Sequence, residues 1–192
     1  MDPVFTLQWP EFLLANRLQK LLPKSQEYSV LIPVSRQEKG FDLAIIKKYP
    51  RRPSRVATIQ IKSSRAYAQV APKRKSTQRF RFHTWFNRFK VPREADFFLL
   101  FGLYAPDSGK TKRVGRHWYR DCTLLFTQQE MRDFMTICRT RAGKPDRMFG
   151  FGFDDENGVF QTRGDKDRGL KDYTGFSLSR RVSLLKTFLN YH

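Results

Sequence analysis

FDLAIIKKY (residues 41–49) and RVATIQIKS (55–63) are separated only by the connector PRRPS. Both stretches are dominated by apolar and β-branched residues, and the two prolines between them break the chain, so they read as neighbouring antiparallel strands. Side chains alternate along a strand. Ile59 and Ile61 therefore project to one face, Gln60 and Lys62 to the other, with about 7 Å between the Cα atoms of Gln60 and Lys62. Asp42 opens the preceding strand, within pairing reach. Aspartate is depleted from strands and costly to bury without a partner. Something cationic is expected to face Asp42: either Lys62, in an ion pair with Gln60 as a polar edge residue, or a bound metal.

Working outward, EYSVLIPV (27–34) reads as a strand before this pair. Ahead of it, WPEFLLANRLQKLLP (9–23) reads as a helix. Pro10 suits its first turn, Glu11 sits near the positive end of the dipole, Leu14, Leu18, Leu21 and Leu22 recur at helical spacing, and Pro23 stops it. Downstream, DFFLLFGLYA (96–105) is nearly all apolar and reads as a strand buried on both faces. HWYRDCTLLF (117–126) reads as the next strand, and Thr127 with Glu130 forms a capping box that opens a helix. Helix, three strands, crossover, two strands and helix predict an α/β or α+β fold with a central mixed five-stranded sheet. Residues 1–142 read as the core, with a basic segment over 65–93. Residues 143–192 read as a C-terminal extension packed on it: a glycine- and charge-rich tail containing MFGFGFDDENG, then a last helical pattern, SLSRRVSLLKTFLNY.

Charge points to a partner. Lys and Arg number 37 against 18 Asp and Glu, a net +19, which favours a polyanion. Between Asp42 and Glu94 there is no acidic residue at all, while Lys and Arg recur throughout. Hydrophobic residues make up 40% of the chain, enough to build a core and set aside wholesale disorder. No apolar run approaches the roughly 20 residues that cross a bilayer, so no membrane partner is expected. Met1 to Pro10 lack a basic stretch followed by an apolar one, and a secretory signal is not expected. Cys122 and Cys138 match neither zinc spacing nor a disulfide framework, so two ordinary buried thiols and a cytoplasmic setting are expected.

GFDLAII followed by TIQIKSS, with a glutamate in the preceding helix, resembles the PD-(D/E)xK nuclease superfamily, which includes many restriction endonucleases and Holliday-junction resolvases. The likeness runs over about residues 8–135. It implies a restriction-endonuclease-like αβββαβ core. The family's aspartate falls on Asp42, its (D/E)-x-K on Gln60, Ile61 and Lys62, and its helix glutamate on Glu11. Gln60 stands where an acid is usual, which removes one negative charge; some members of the family carry glutamine there. The implied chemistry is hydrolysis of DNA by an endonuclease, in restriction, defence or junction processing. Mg²⁺, or Mn²⁺ in its place, would be held by Asp42, Gln60, Glu11 and the Ile61 carbonyl. Lys62 would position or help deprotonate the attacking water. Arg65, Lys73, Arg74, Lys75, Arg79, Arg81, Arg88 and Lys90 would hold the nucleic acid, with Phe80, Phe82, Trp85 and Phe86 divided between base contacts and the core. RNA stays open beside DNA, as does a homodimer.

Two other functions fit the same residues: a non-catalytic nucleic-acid-binding module on this fold, and a basic structural protein of a ribonucleoprotein particle. SGKT (108–111) is no P-loop, because Tyr104 occupies the first glycine position. His83 and His117 lack partners at metal or triad spacing and are expected at the surface or on phosphate. Asp154, Asp155 and Glu156 lack a calcium-loop pattern and read as a solvated turn.

Overall fold

A computed structural model describes residues 9–33, 40–68, 80, 82–104, 120–140, 142–153, 158–164 and 171–190. Helix α1 (Trp9–Leu21) buries Leu14, Ala15 and Leu18 on one side. A 3₁₀ turn (Lys24–Gln26) ends on Glu27, whose φ of 64° reverses the chain into the sheet. Strands β1 (Tyr28–Leu31), β2 (Leu43–Tyr49) and β3 (Arg52–Ala68) then form the expected antiparallel meander, with Tyr28 opposite Lys47 and Leu43 opposite Ile59. Strand β5 (Phe97–Tyr104) runs parallel to β3, from Ile59 opposite Phe97 to Arg65 opposite Leu103, and β6 (Arg120–Thr127) is antiparallel to β5. These five strands make the mixed sheet read from the sequence.

The sheet does not stop at five. β3 runs on to Ala68 and pairs there with β4 (Phe82–Phe86), which pairs with β7 (Phe149–Phe153), which pairs with β8 (Val159–Arg163), for eight strands among the described residues. The fold is thus mixed α/β, with a large, mainly antiparallel sheet and, among the described residues, three α-helices. Two points differ from expectation. Between β3 and β5, the described residues carry β4 and no helix. And FGFGF (149–153), read as part of a glycine-rich tail, forms a strand buried throughout. The glycines misled the reading because they are packing devices. A Cβ on Gly150 would lie 2.4 Å from Cδ1 of Trp85, and one on Gly152 2.5 Å from Cδ2 of Phe80, so aromatic rings lie directly on bare backbone.

Alternation along β5 builds two cores. Phe97, Leu99 and Phe101 join Leu43, Ile45, Ile59 and Ile61 beneath α1 and α3 (Leu178–Asn190). Phe98 and Leu100 join Phe126, Phe134, Phe149 and Phe151 under α2 (Gln128–Ile137). α2 begins with the expected capping box, Thr127 and Glu130. Arg181 of α3 bonds Glu130 Oε1 at 2.5 Å and the Leu125 carbonyl at 2.9 Å, tying that helix to the sheet. Arg17 of α1 makes a two-pronged contact with Asp121 of β6, at 2.6 and 2.7 Å. The segment after residue 142 thus supplies β7, β8 and α3. No helix among the described residues is long and apolar enough to cross a membrane.

Candidate functional site

β2 leaves β3 at Ile59, and β4 joins it only at Ala66. Across the interval between them, β5 is the one strand paired with β3 among the described residues. Backbone groups exposed by such a gap need partners. Asp42 provides them. Its N–H donates to the Ile59 carbonyl at 2.8 Å, and its Oδ2 accepts from the Ile61 N–H at 2.6 Å. One residue therefore grips β3 on both sides of Gln60. Asp96 does similar work next door, where its Oδ2 accepts from the Thr58 N–H at 2.8 Å and its own N–H reaches the Thr58 carbonyl at 3.0 Å.

Ile59 and Ile61 are buried in the first core, so Gln60 and Lys62 point the other way, as strand parity requires. They line a cleft of about 550 Å³, with Gly40 and Ser63 beside them and the segment Trp85–Pro92 opposite. That second wall is built by spacing: Phe86 and Phe89 are buried while Asn87, Arg88 and Lys90 are exposed. Phe89 packs against Phe98 at 6.0 Å and Phe149 at 5.2 Å between ring centroids, and its N–H bonds the Arg147 carbonyl at 3.1 Å. Between the two anchors Arg88 takes φ 51°, with its N–H donated to Asn87 Oδ1 at 2.8 Å. A bulky residue in this left-handed region costs conformational energy, which the flanking aromatic anchors must offset.

Lys62, Arg88 and Lys90 all line the cleft, and no Asp or Glu among the described residues does. An anion is the natural occupant. The described ion pairs join Arg17 to Asp121, Arg163 to Asp146 and Arg181 to Glu130, and none of them takes Lys62. Gln60 Oε1 is buried and has no hydrogen-bond partner among the described residues. Such an oxygen is expensive to leave unmatched, and each instance calls for a donor or a cation.

The other predicted residues fall as follows. Glu11 lies half-buried in the first turn of α1. α1 packs on the opposite face of the sheet from Gln60 and Lys62, and Trp9 meets the ring of Phe101, the register partner of Ser63, at 6.3 Å. Ile61 puts its side chain in the first core and its N–H on Asp42. Arg65 is exposed on β3, outside the cleft lining. Lys73, Arg74, Lys75, Arg79, Arg81, His117 and the acidic cluster 154–156 lie outside the described residues.

Of the four aromatics considered for base contact, Phe80, Phe82 and Phe86 are buried, and Trp85 is 37% exposed in the cleft wall. His83 corrects the sequence reading: it is 6% exposed, not a surface residue. β4 lies between β3 and β7, and aromatic rings close over His83 there: Phe80 at 6.3 Å and Trp85 at 6.0 Å between ring centroids. Burial lowers the proton affinity of His83 below its ordinary value. The Cys122 and Cys138 thiols are pushed up to about 12, first by burial and then by the carboxylates of Asp121 and Asp146 respectively, so both are unreactive near neutrality. Arg88 and Lys90 were named from the sequence as nucleic-acid contacts, but Asn87 and the cleft wall these residues form together were not. The wall's one visible trace was the F-N-R-F spacing of 86–89, which pins two aromatic anchors around two polar residues. No protein-family model, curated protein or solved structure matches this chain, and the functional reading rests on the geometry of the cleft.

Proposed function

We propose that the protein is a nucleic-acid phosphodiester hydrolase whose site is the cleft between Gln60–Lys62 and Trp85–Pro92. The observation that carries this reading is the orphaned, buried Gln60 oxygen beside Lys62, on a strand clamped by Asp42, in a cleft whose charged lining is wholly cationic among the described residues. Phosphate would be drawn in by Lys62, Arg88 and Lys90. The Lys62 ammonium would orient the attacking water and offset charge that builds on the phosphorus oxygens during attack. The order of Asp42 just before β2 and Gln60-Ile61-Lys62 on β3 suits the PD-(D/E)xK likeness; the crossover strand β4 departs from an αβββαβ core.

Among the described residues no group of three or more His, Cys, Asp or Glu side chains stands together to hold a metal, so the donors for a hard cation reduce to the Gln60 oxygen and the Asp42 carboxylate. Gln60 Oε1 is an oxygen lacking a partner among the described residues, and Asp42 brings a carboxylate to the adjoining backbone. Mg²⁺ or Mn²⁺ would be held by Gln60 and Asp42, with the Ile61 carbonyl as the further donor that the likeness implies; Glu11, on a helix packed against the other face, is not part of this set. Such an ion polarises a phosphate and acidifies water.

The test is nicking of supercoiled plasmid in Mg²⁺ and in EDTA. The wild type is expected to cut only with the metal. Lys62→Ala should lose about 10²–10⁴ in rate while melting like the wild type, because Lys62 holds no described ion pair. A wild type that cuts no DNA in Mg²⁺ or Mn²⁺, or a Lys62→Ala protein that cuts as fast, sinks the hydrolase reading. The lack of an acidic residue in the cleft lining, among those described, favours one second reading, a binding module without catalysis. That module would bind DNA tightly and leave plasmid intact.

A further inference from the structure

We infer that Trp85 is a stacking platform for a base, and that the cleft takes nucleic acid with an unpaired nucleotide, such as a single strand or flap, in preference to continuous duplex. This rests on the nucleic-acid reading of the same cleft and narrows its substrate class.

Trp85 is the one exposed residue of β4, at 37%, in a strand whose other four residues are buried. Its ring is not loose. It lies against the bare backbone of Gly150, where a Cβ would come within 2.4 Å of its Cδ1. The ring of His83 lies parallel to it, at 6.0 Å and 9°. Burial lowers the proton affinity of His83, which favours its uncharged ring as the neighbour. An indole held in one orientation loses little freedom when a base settles on it.

The surroundings suit a nucleotide. Trp85 shares the cleft with Lys62, Arg88 and Lys90, which would take the phosphates. Aromatic faces interleaved with cations are how proteins hold single strands, since every base offers a π-face. The cleft, about 550 Å³, has the size of a small-ligand site. In a duplex each base face is already covered by its neighbours, and a base reaches an aromatic side chain only after extrusion, at a cost of about a few kcal/mol. An unpaired base avoids that cost.

The experiment measures binding of the full chain in EDTA, so that cleavage plays no part. The probes are a labelled single strand of about 16 nucleotides, the blunt duplex of the same sequence, and that duplex carrying a short unpaired flap. Trp85→Ala should weaken single-strand and flap binding by roughly 5- to 150-fold, the worth of one base–aromatic stack, and leave blunt-duplex binding unchanged. Trp85→Phe should restore most of the loss. Lys90→Ala should weaken all three probes alike. Should Trp85→Ala fail to fold, Trp85→Leu keeps an apolar cover over Gly150 without a π-face and must show the same selective loss. If the wild type binds and the Trp85 variants match it on every probe, or lose single strand and duplex equally, the platform is overturned while the nucleic-acid reading stands. If the wild type binds none of the probes, the nucleic-acid reading falls and the platform with it.

Discussion

Asp42 carries two roles that ordinary substitutions confuse. Its carboxylate accepts the Ile61 N–H at 2.6 Å, which is a structural duty, and its charge is what a cation would use. Asparagine separates them, because it keeps an acceptor oxygen and drops the charge. Asp42→Ala should leave a strand N–H without that acceptor and destabilise the fold by about 1–3 kcal/mol, read from urea unfolding. Asp42→Asn should keep most of that stability yet lose plasmid cleavage. If Asp42→Asn cleaves normally, the charge has no part in the chemistry and Asp42 serves only to fasten β3. Asp42 was legible in the sequence as an anomaly, a lone aspartate in an apolar strand. Its grip on the backbone on both sides of Gln60 was not, because strand parity says which face a side chain takes but not where the neighbouring strand departs.

At the scale of elements, β4 shows how pairing overrides local composition. RFRFHTWF (79–86) is basic and aromatic, and it alternates over only a few residues. Set between β3 and β7, β4 packs His83 beside the rings of Phe80 and Trp85, and His83 is buried along with Phe82 and Phe86. That burial has a pH consequence. His83 binds a proton less readily when folded, so below its ordinary pKa of 6.5 the unfolded chain holds more protons than the native one. Stability from this source is fully present above about pH 6.5, declines as pH falls through that value, and levels off below the native pKa. Thermal melting followed from about pH 8 to about pH 5 should show this decline, and His83→Gln should flatten that part of the profile. An identical profile in the variant would assign the decline to other groups. β7 makes the same point about glycine. Alternating Phe and Gly looked like a tail, but partner rings from Trp85 and Phe80 need the space that each missing Cβ leaves.

For the whole molecule, +19 of net charge and an acid-free run from residue 43 to residue 93 predict an electrostatic face. The described part of that run brings Lys62, Arg88 and Lys90 to one cleft. Affinity for DNA should therefore fall with salt. Replacing Arg88 and Lys90 together by alanine should reduce the slope of log K against log salt by roughly 0.9 per lost duplex phosphate contact, or roughly 0.7 on a single strand. Both side chains are exposed, so melting should barely change. An unchanged slope would show that these two charges face away from the bound nucleic acid.

Local order and periodicity were enough to read the helix, the meander, the doubly buried strand, the capping box and the faces taken by Gln60 and Lys62. Each depends on residues a few positions apart, and short-range sterics and alternation specify them. The cleft was decided elsewhere. It exists because β3 is shared by partners distant in sequence: β2 leaves it at Ile59, β4 joins it at Ala66, and β7, more than 60 residues beyond β4, holds β4 and the ring of Trp85 in place. Contacts of that separation follow from how apolar faces find cover in three dimensions, and no local pattern encodes them.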